Sequence, residues 1–189
     1  MGLELSSEQL DALEGFEALI RDRAIPLGMV AKADEPRLRE RHVLDSLRAA
    51  TVVEENDQTA YDLGSGAGLP GVAVAIALPG LRVTLVESRL PRAAFLQLVA
   101  DRLGLTNVSV SNQRVEALSQ LVDVCFSRAF ARVGVAWLAA GRLLTPSGRL
   151  VYFAGERFDQ SEVPGEAVSN VVSTSALARA GPLVIMSRQ

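Results

Sequence analysis

From Thr59 onward the chain alternates short apolar runs with longer segments whose apolar residues recur at helical spacing. That alternation predicts a parallel sheet covered by helices on both faces. The runs place strands at Thr59–Leu63, Arg82–Glu87, Val108–Ser111, Val122–Ser127, Arg149–Phe153, Val168–Ser173 and Leu183–Met186. Helices are predicted over Val72–Leu78, from Pro91 to Leu103, and over Val133–Leu144. Pro91 suits a first helical turn and Gly104 a helix end, because proline presets φ and glycine accepts the left-handed conformation. T-P-S-G (145–148) reads as a turn, and Glu156–Glu166 as a polar crossover.

Two amphipathic helices precede the sheet. The first spans Ser6–Ala24, with Ser6 and Gln9 spaced as a capping box. Leu10, Leu13, Phe16, Ala18, Leu19 and Ile20 form its apolar stripe, and Pro26 and Gly28 end it. The second, about Pro36–Val53, turns Leu38, Val43, Leu44 and Leu47 inward and carries Arg37, Arg39, Arg41 and Arg48 elsewhere. No internal repeat, low-complexity segment or linker interrupts the 189 residues. The expectation is one domain, a helical cap over residues 1–57 and an α/β core over 58–189.

Composition adds little to this picture. A net charge of −3 does not announce a nucleic-acid binder, although a local basic face decides that question. Arg37, Arg39, Arg41 and His42 are the candidates for such a face, with a solvated helix surface as the alternative. A single cysteine, Cys125, excludes an internal disulfide and fits a reducing cytosol. No apolar run approaches 18 residues, so a cytoplasmic protein without a membrane partner is expected, and no obligate protein partner is evident.

The chemistry concentrates in Tyr61–Gly71, Y-D-L-G-S-G-A-G-L-P-G. Four glycines in eight residues (Gly64, Gly66, Gly68, Gly71) mark a tight turn or a close backbone approach to a ligand. Strand, glycine turn and helix together make a nucleotide-shaped site. Gly66, Gly68 and Gly71 satisfy the dinucleotide pattern G-x-G-x-x-G, which alone is weak. Asp62 before the turn would meet a pyrophosphate unfavourably but suits a ligand with a positive centre, such as S-adenosylmethionine. Pro70, where a dinucleotide-binding helix should have begun, argues the same way. Glu87 stands where a carboxylate accepts from a ribose diol. Arg114 and Glu116 follow strand three, and Arg128 follows strand four, at the carboxyl ends where such sheets bind ligands.

Other chemistries lack their residues. There is no metal-ligating cluster, no P-loop lysine and no serine elbow, and His42 is the only histidine. A cysteine inside an apolar strand is ordinarily inert. These absences suit methyl transfer to a neutral ring nitrogen, which has no proton to lose and needs positioning more than a base.

E-R-H-V-L-D-S-L (Glu40–Leu47), D-L-G-S-G-A-G-L-P-G (Asp62–Gly71), R-V-E (Arg114–Glu116) and S-R-A-F-A (Ser127–Ala131) occur in order. Together, over roughly residues 10 to 155, they resemble the glucose-inhibited division protein B family, the bacterial 16S ribosomal RNA (guanine-N7) methyltransferases. The resemblance implies a class I methyltransferase fold with a seven-stranded, mainly parallel sheet, and S-adenosylmethionine as donor. It implies 16S rRNA or the small ribosomal subunit as partner, with a guanine of the 530 loop as acceptor. It places Gly64 and Leu69 at the cofactor, with Ser65, Gly66 and Gly68 in the same loop. It sets Val115 and Glu116 beside the adenine and Arg128 at the pocket's closure. The chain departs from the family at Gly28-Met29, at Ala154 where a lysine is typical, and in A-G-P-L-V-I-M (180–186), a segment in which the family commonly has a basic residue before the last strand. Those losses keep open a paralogue that binds the cofactor without this transfer.

Overall fold

The computed structural model describes residues 3–173 and 180–189. Seven strands form one sheet: β1 (Thr59–Leu63), β2 (Arg82–Val86), β3 (Val108–Ser111), β4 (Val122–Arg128), β5 (Leu144–Phe153), β6 (Ala167–Val172) and β7 (Leu183–Arg188). Their order is β3-β2-β1-β4-β5-β7-β6. The first five pair in parallel, while β7 runs antiparallel to β5 and β6 antiparallel to β7. β1 is buried along four of its five residues, as a strand covered on both faces must be. The strand order reverses between β1 and β4, and ligands bind beyond the carboxyl ends at such a reversal.

Helices α1 (Ser7–Leu19), α2 (Asp45–Leu47), α3 (Gly71–Ala77), α4 (Leu90–Leu103) and α5 (Val133–Gly141) complete the frame. Ser6 and Gln9 form the capping box on α1, and Gly104 ends α4 in the left-handed conformation with φ 63°. α1 continues through a wider π turn to Ala24. Its stripe is narrower than periodicity suggested. Leu13, Phe16 and Ile20 are buried, but Leu10 is 50% exposed and Ala18 faces water. At about 100° per residue Ala18 points away from Leu13, Phe16 and Ile20, and Leu10 stands at the edge of their face.

The second cap helix is one run of changing pitch: a 3₁₀ segment Lys32–Arg37, a π segment Arg39–Leu44, α2, and a 3₁₀ segment Arg48–Val52. These changes bury Leu38, Val43 and Leu47 and turn Leu44 outward. The helix predicted to Leu144 stops at Gly141, and Leu144 already belongs to β5. T-P-S-G lies within that strand as a bulge, where the register with β4 jumps from Val122↔Leu144 to Val124↔Arg149.

One core face joins cap and sheet. Leu13, Phe16, Ile20, Leu38, Val43 and Leu47 pack with α3, Leu85, Leu96 and Phe126. The other lies under α5 and holds Tyr61, Leu63, Cys125, Trp137, Leu143 and Met186. Polar ties fix the cap as well. Gln9 donates to the carbonyls of Ile76 and Ala77 at 2.8 and 3.0 Å, groups that the end of α3 otherwise leaves unpaired. Buried Arg149 binds the Val52 carbonyl and the Asp57 carboxylate at the opposite edge.

Candidate functional site

The turn after β1 is shaped by three glycines with positive φ, Gly64 at 71°, Gly66 at 56° and Gly68 at 86°. The Gly64 and Ser65 N–H groups donate to the Val86 carbonyl at 2.9 and 3.0 Å, tying the turn to β2. A Cβ on Gly64 would lie 2.6 Å from the Phe130 ring. One on Gly68 would lie 3.3 Å from Phe16 Cζ and 2.7 Å from Val72 Cγ2. Both are close approaches that a side chain would block. Over Gly66 the space is open, with nothing nearer than the Gly64 carbonyl at 3.8 Å.

Asp62 lies beneath this turn, not on its surface. It is buried, and its carboxylate accepts from the Gly71 N–H at 3.0 Å. Ser65 Oγ donates to the Asp62 carbonyl at 2.9 Å. Burial pushes the Asp62 carboxyl up to about 7, opposed by the Gly71 and Ser65 bonds and by the charge of Arg128. Glu87, just past β2, divides its carboxylate between two backbone donors, Gly66 at 3.2 Å and Arg89 at 2.8 Å.

A cleft of about 310 Å³ opens at these carboxyl ends. Of the residues singled out in the sequence it brings together Gly64, Glu87, Arg114, Val115 and Glu116. Asp62, Ser65 and Gly68 are buried and stand outside its lining, and Leu69 is half-buried against the cap-side core. The sequence reading missed Arg89, Arg92, Gln113 and Phe130 in the cleft wall. Phe130 had a signal, since it stands in S-R-A-F-A opposite a glycine that only a flat neighbour tolerates.

Arg128 is elsewhere. Its guanidinium faces the cap, bonding the Arg41 carbonyl at 2.9 Å, the His42 carbonyl at 3.3 Å, Ser46 Oγ at 3.2 Å and the Asp45 carboxylate at 3.1 Å. It also lies 5.6 Å from the centre of the Phe153 ring. Burial holds its pKa below the ordinary arginine value, with Asp45 and Asp62 opposing.

The proposed basic face is largely neutralised from within. Arg39 binds Glu17 at 2.7 Å and Glu14 at 3.2 Å, and Arg41 binds Asp34 at 3.3 Å. His42 lies 3.3 Å from Asp34 through Nε2 and 3.4 Å from an Arg128 nitrogen through Nδ1. Burial, and then Arg128, lower the His42 pKa. Arg37 is exposed and has no ion pair among the described residues. Cys125 is fully buried, and burial pushes its thiol far up, away from nucleophilic use.

The cleft residues fit S-adenosylmethionine. Glu87 offers carboxylate oxygens to a ribose and Val115 an apolar wall to an adenine, while Gly66, outside the lining but bonded to Glu87, leaves open space over its backbone. The volume lies at the lower end of the range for small-molecule sites. Sheet order, glycine turn and cleft define a class I S-adenosylmethionine-dependent methyltransferase. A methyltransferase from Geobacter sulfurreducens shares the fold, with a TM-score of 0.63 at 15% identity over 94% of this chain and 88% of that one. Sequence relatives narrow the class. The chain matches the family described as rRNA small subunit methyltransferase G over residues 9–177, and it belongs to that family. It is 34% identical to Ribosomal RNA small subunit methyltransferase G of Carboxydothermus hydrogenoformans over 84% of this chain and 70% of that protein. Against the protein of that name from Neisseria meningitidis it is 38% identical, over 78% of this chain and 72% of that one.

Proposed function

We propose that the protein methylates N7 of a guanine in the 530 loop of bacterial 16S rRNA, as free RNA or within the small subunit, in the cytoplasm. The relatives' names support the RNA. The cleft's own chemistry supports the ring nitrogen. Its described lining holds no histidine or cysteine, and the chain's only examples are an engaged His42 and a buried Cys125. S-adenosylmethionine, when bound, supplies a methyl group already activated on a sulfonium. N7 of guanine carries a lone pair and no proton, so no base is required and orientation supplies the rate.

In this reading Glu87 accepts from the ribose, Val115 packs on the adenine with Glu116 beside it, and Gly64, Gly66 and Leu69 keep the loop close to the ligand. Phe130 closes the cleft over Gly64 and keeps water out. Mass mapping of ribosomal RNA from cells with and without the gene tests the assignment. One N7-methylguanine lost from 16S rRNA without the gene, and restored by it, is expected. An unchanged modification map, with calorimetry still showing S-adenosylhomocysteine binding, would refute the substrate and leave the cofactor site intact.

A second reading rests on Ala154. It is buried at the end of β5, where the resemblance would place a lysine, and the cap arginines offer little compensating free charge. On that reading the protein binds cofactor but methylates another substrate or none. Transfer of labelled methyl to 16S rRNA by purified protein would exclude it.

A further inference from the structure

Asp45 belongs to none of the loops that form the cleft, yet its two carboxylate oxygens reach in different directions. Oδ1 takes Arg48 at 3.0 Å and Oδ2 takes Arg128 at 3.1 Å. Its side chain is 16% exposed, as is that of Arg128. Arg48 is anchored on its far side, both terminal nitrogens donating to the Gly181 carbonyl at 2.8 Å. Arg128 is the last residue of β4, and the two that follow it, Ala129 with φ 53° and Phe130, line the cleft, Phe130 lying against Gly64 of the glycine turn. A chain of contacts therefore runs from cap to cofactor loop: Arg48, Asp45, Arg128 and, along the backbone, Phe130 over Gly64. Arg48 and Arg128 repel one another across Asp45, and Arg41 adds to that repulsion.

We propose that Asp45 is a positioning residue of the cofactor site, holding Arg128 at the end of β4 so that Ala129 and Phe130, the next two residues, are set against the glycine turn. The carbonyls of Arg41 and His42 and the hydroxyl of Ser46 fix the plane of the guanidinium. Among the described residues Asp45 is the carboxylate that forms an ion pair with it. Without it two cations face each other in a poorly solvated space, and Arg128 relaxes away from the loop. The effect reaches the ligand through Arg128 and Phe130, not by contact from Asp45. The inference uses the cofactor site alone and stands whether or not the acceptor is 16S rRNA.

Calorimetry with S-adenosylhomocysteine on the full chain tests it. D45N and R128Q should each weaken binding about tenfold, and the double variant little more than either, since one linkage is lost in all three. D45E, which keeps the charge, should recover most of the affinity. The single histidine gives a readout without cofactor. By ¹⁵N NMR titration of the free protein, the His42 pKa should rise in both R128Q and D45N, because the arginine leaves Nδ1. Circular dichroism and melting curves identify any variant that fails to fold, and D45E then carries the binding comparison. Unchanged affinity and an unchanged His42 titration in folded D45N would overturn the proposal. So would losses in D45N and R128Q that simply add.

Discussion

The glycine turn and the arginine-rich cap helix treat their polar groups in opposite ways. In the turn the important partners are local or one strand away. Gly64 and Ser65 bond Val86, Gly66 bonds Glu87, and Gly71 bonds Asp62. On the cap the partners are remote. Arg39 is taken by Glu14 and Glu17 of α1, and the cap's own backbone is taken by Arg128 of β4. Spacing along a chain therefore announces the first kind of site well and the second poorly. A run of arginines looks available until the fold brings its counter-charges.

The contrast is broken most severely at Gly71. A Cβ there would lie 2.6 Å from Asp62 Oδ2 and would also strike Leu85. Gly71→Ala should lower stability by about 3 kcal/mol and abolish measurable S-adenosylhomocysteine binding, read by denaturant unfolding and calorimetry. On the cap, Arg39→Ala removes one ion pair from each of Glu14 and Glu17 and leaves buried Glu17 with Arg21 alone. A loss of about 2 kcal/mol is expected in the same unfolding assay, with cofactor affinity unchanged. Gly64→Ala should cost about 1–2 kcal/mol for an alanine held at φ 71°. It should also weaken cofactor binding about tenfold as Phe130 is pushed aside.

Asp62 sharpens the comparison through pH. Its carboxyl titrates at about 7 in the fold against an ordinary 3.8, so the folded state holds the proton more tightly than the unfolded one. Its contribution to stability is complete below about pH 4 and is lost as pH rises through about 7. Asp62→Asn should remove that decline, which melting curves from pH 5 to 8 will show. The smallest effect belongs to Arg37. Arg37→Ala should leave the melting temperature unchanged, and if the residue contacts phosphate it should reduce the salt dependence of RNA binding by about one ion.

Most of the fold was legible because apolar periodicity is a local record of burial. Six of the seven strands lie where alternation placed them, within about two residues, and β5 ends as placed but begins five residues earlier, at Leu144. The helix errors have separate causes. Leu10 and Ala18 lie in the regular turns of α1, where Leu10 flanks the buried row and Ala18 points away from Leu13, Phe16 and Ile20, whereas Leu44 is turned outward within the π segment Arg39–Leu44. The site was half legible. Glu87, Arg114, Val115 and Glu116 meet in one cleft because they follow successive parallel strands. The position of Arg128 was not, since its partners lie 82 to 87 residues earlier.

Phe16 also constrains the order of synthesis. It is fully buried between Gly68 of the loop and the helices that follow, while Gly15 faces Leu103 of α4. A chain made from its N-terminus must therefore hold the stripe of Leu13, Phe16 and Ile20 uncovered until α4 has been translated. At ordinary synthesis rates that interval is on the order of ten seconds. The capping box on Ser6 lets α1 start its helix during that time, but its apolar face waits for the loop it will support.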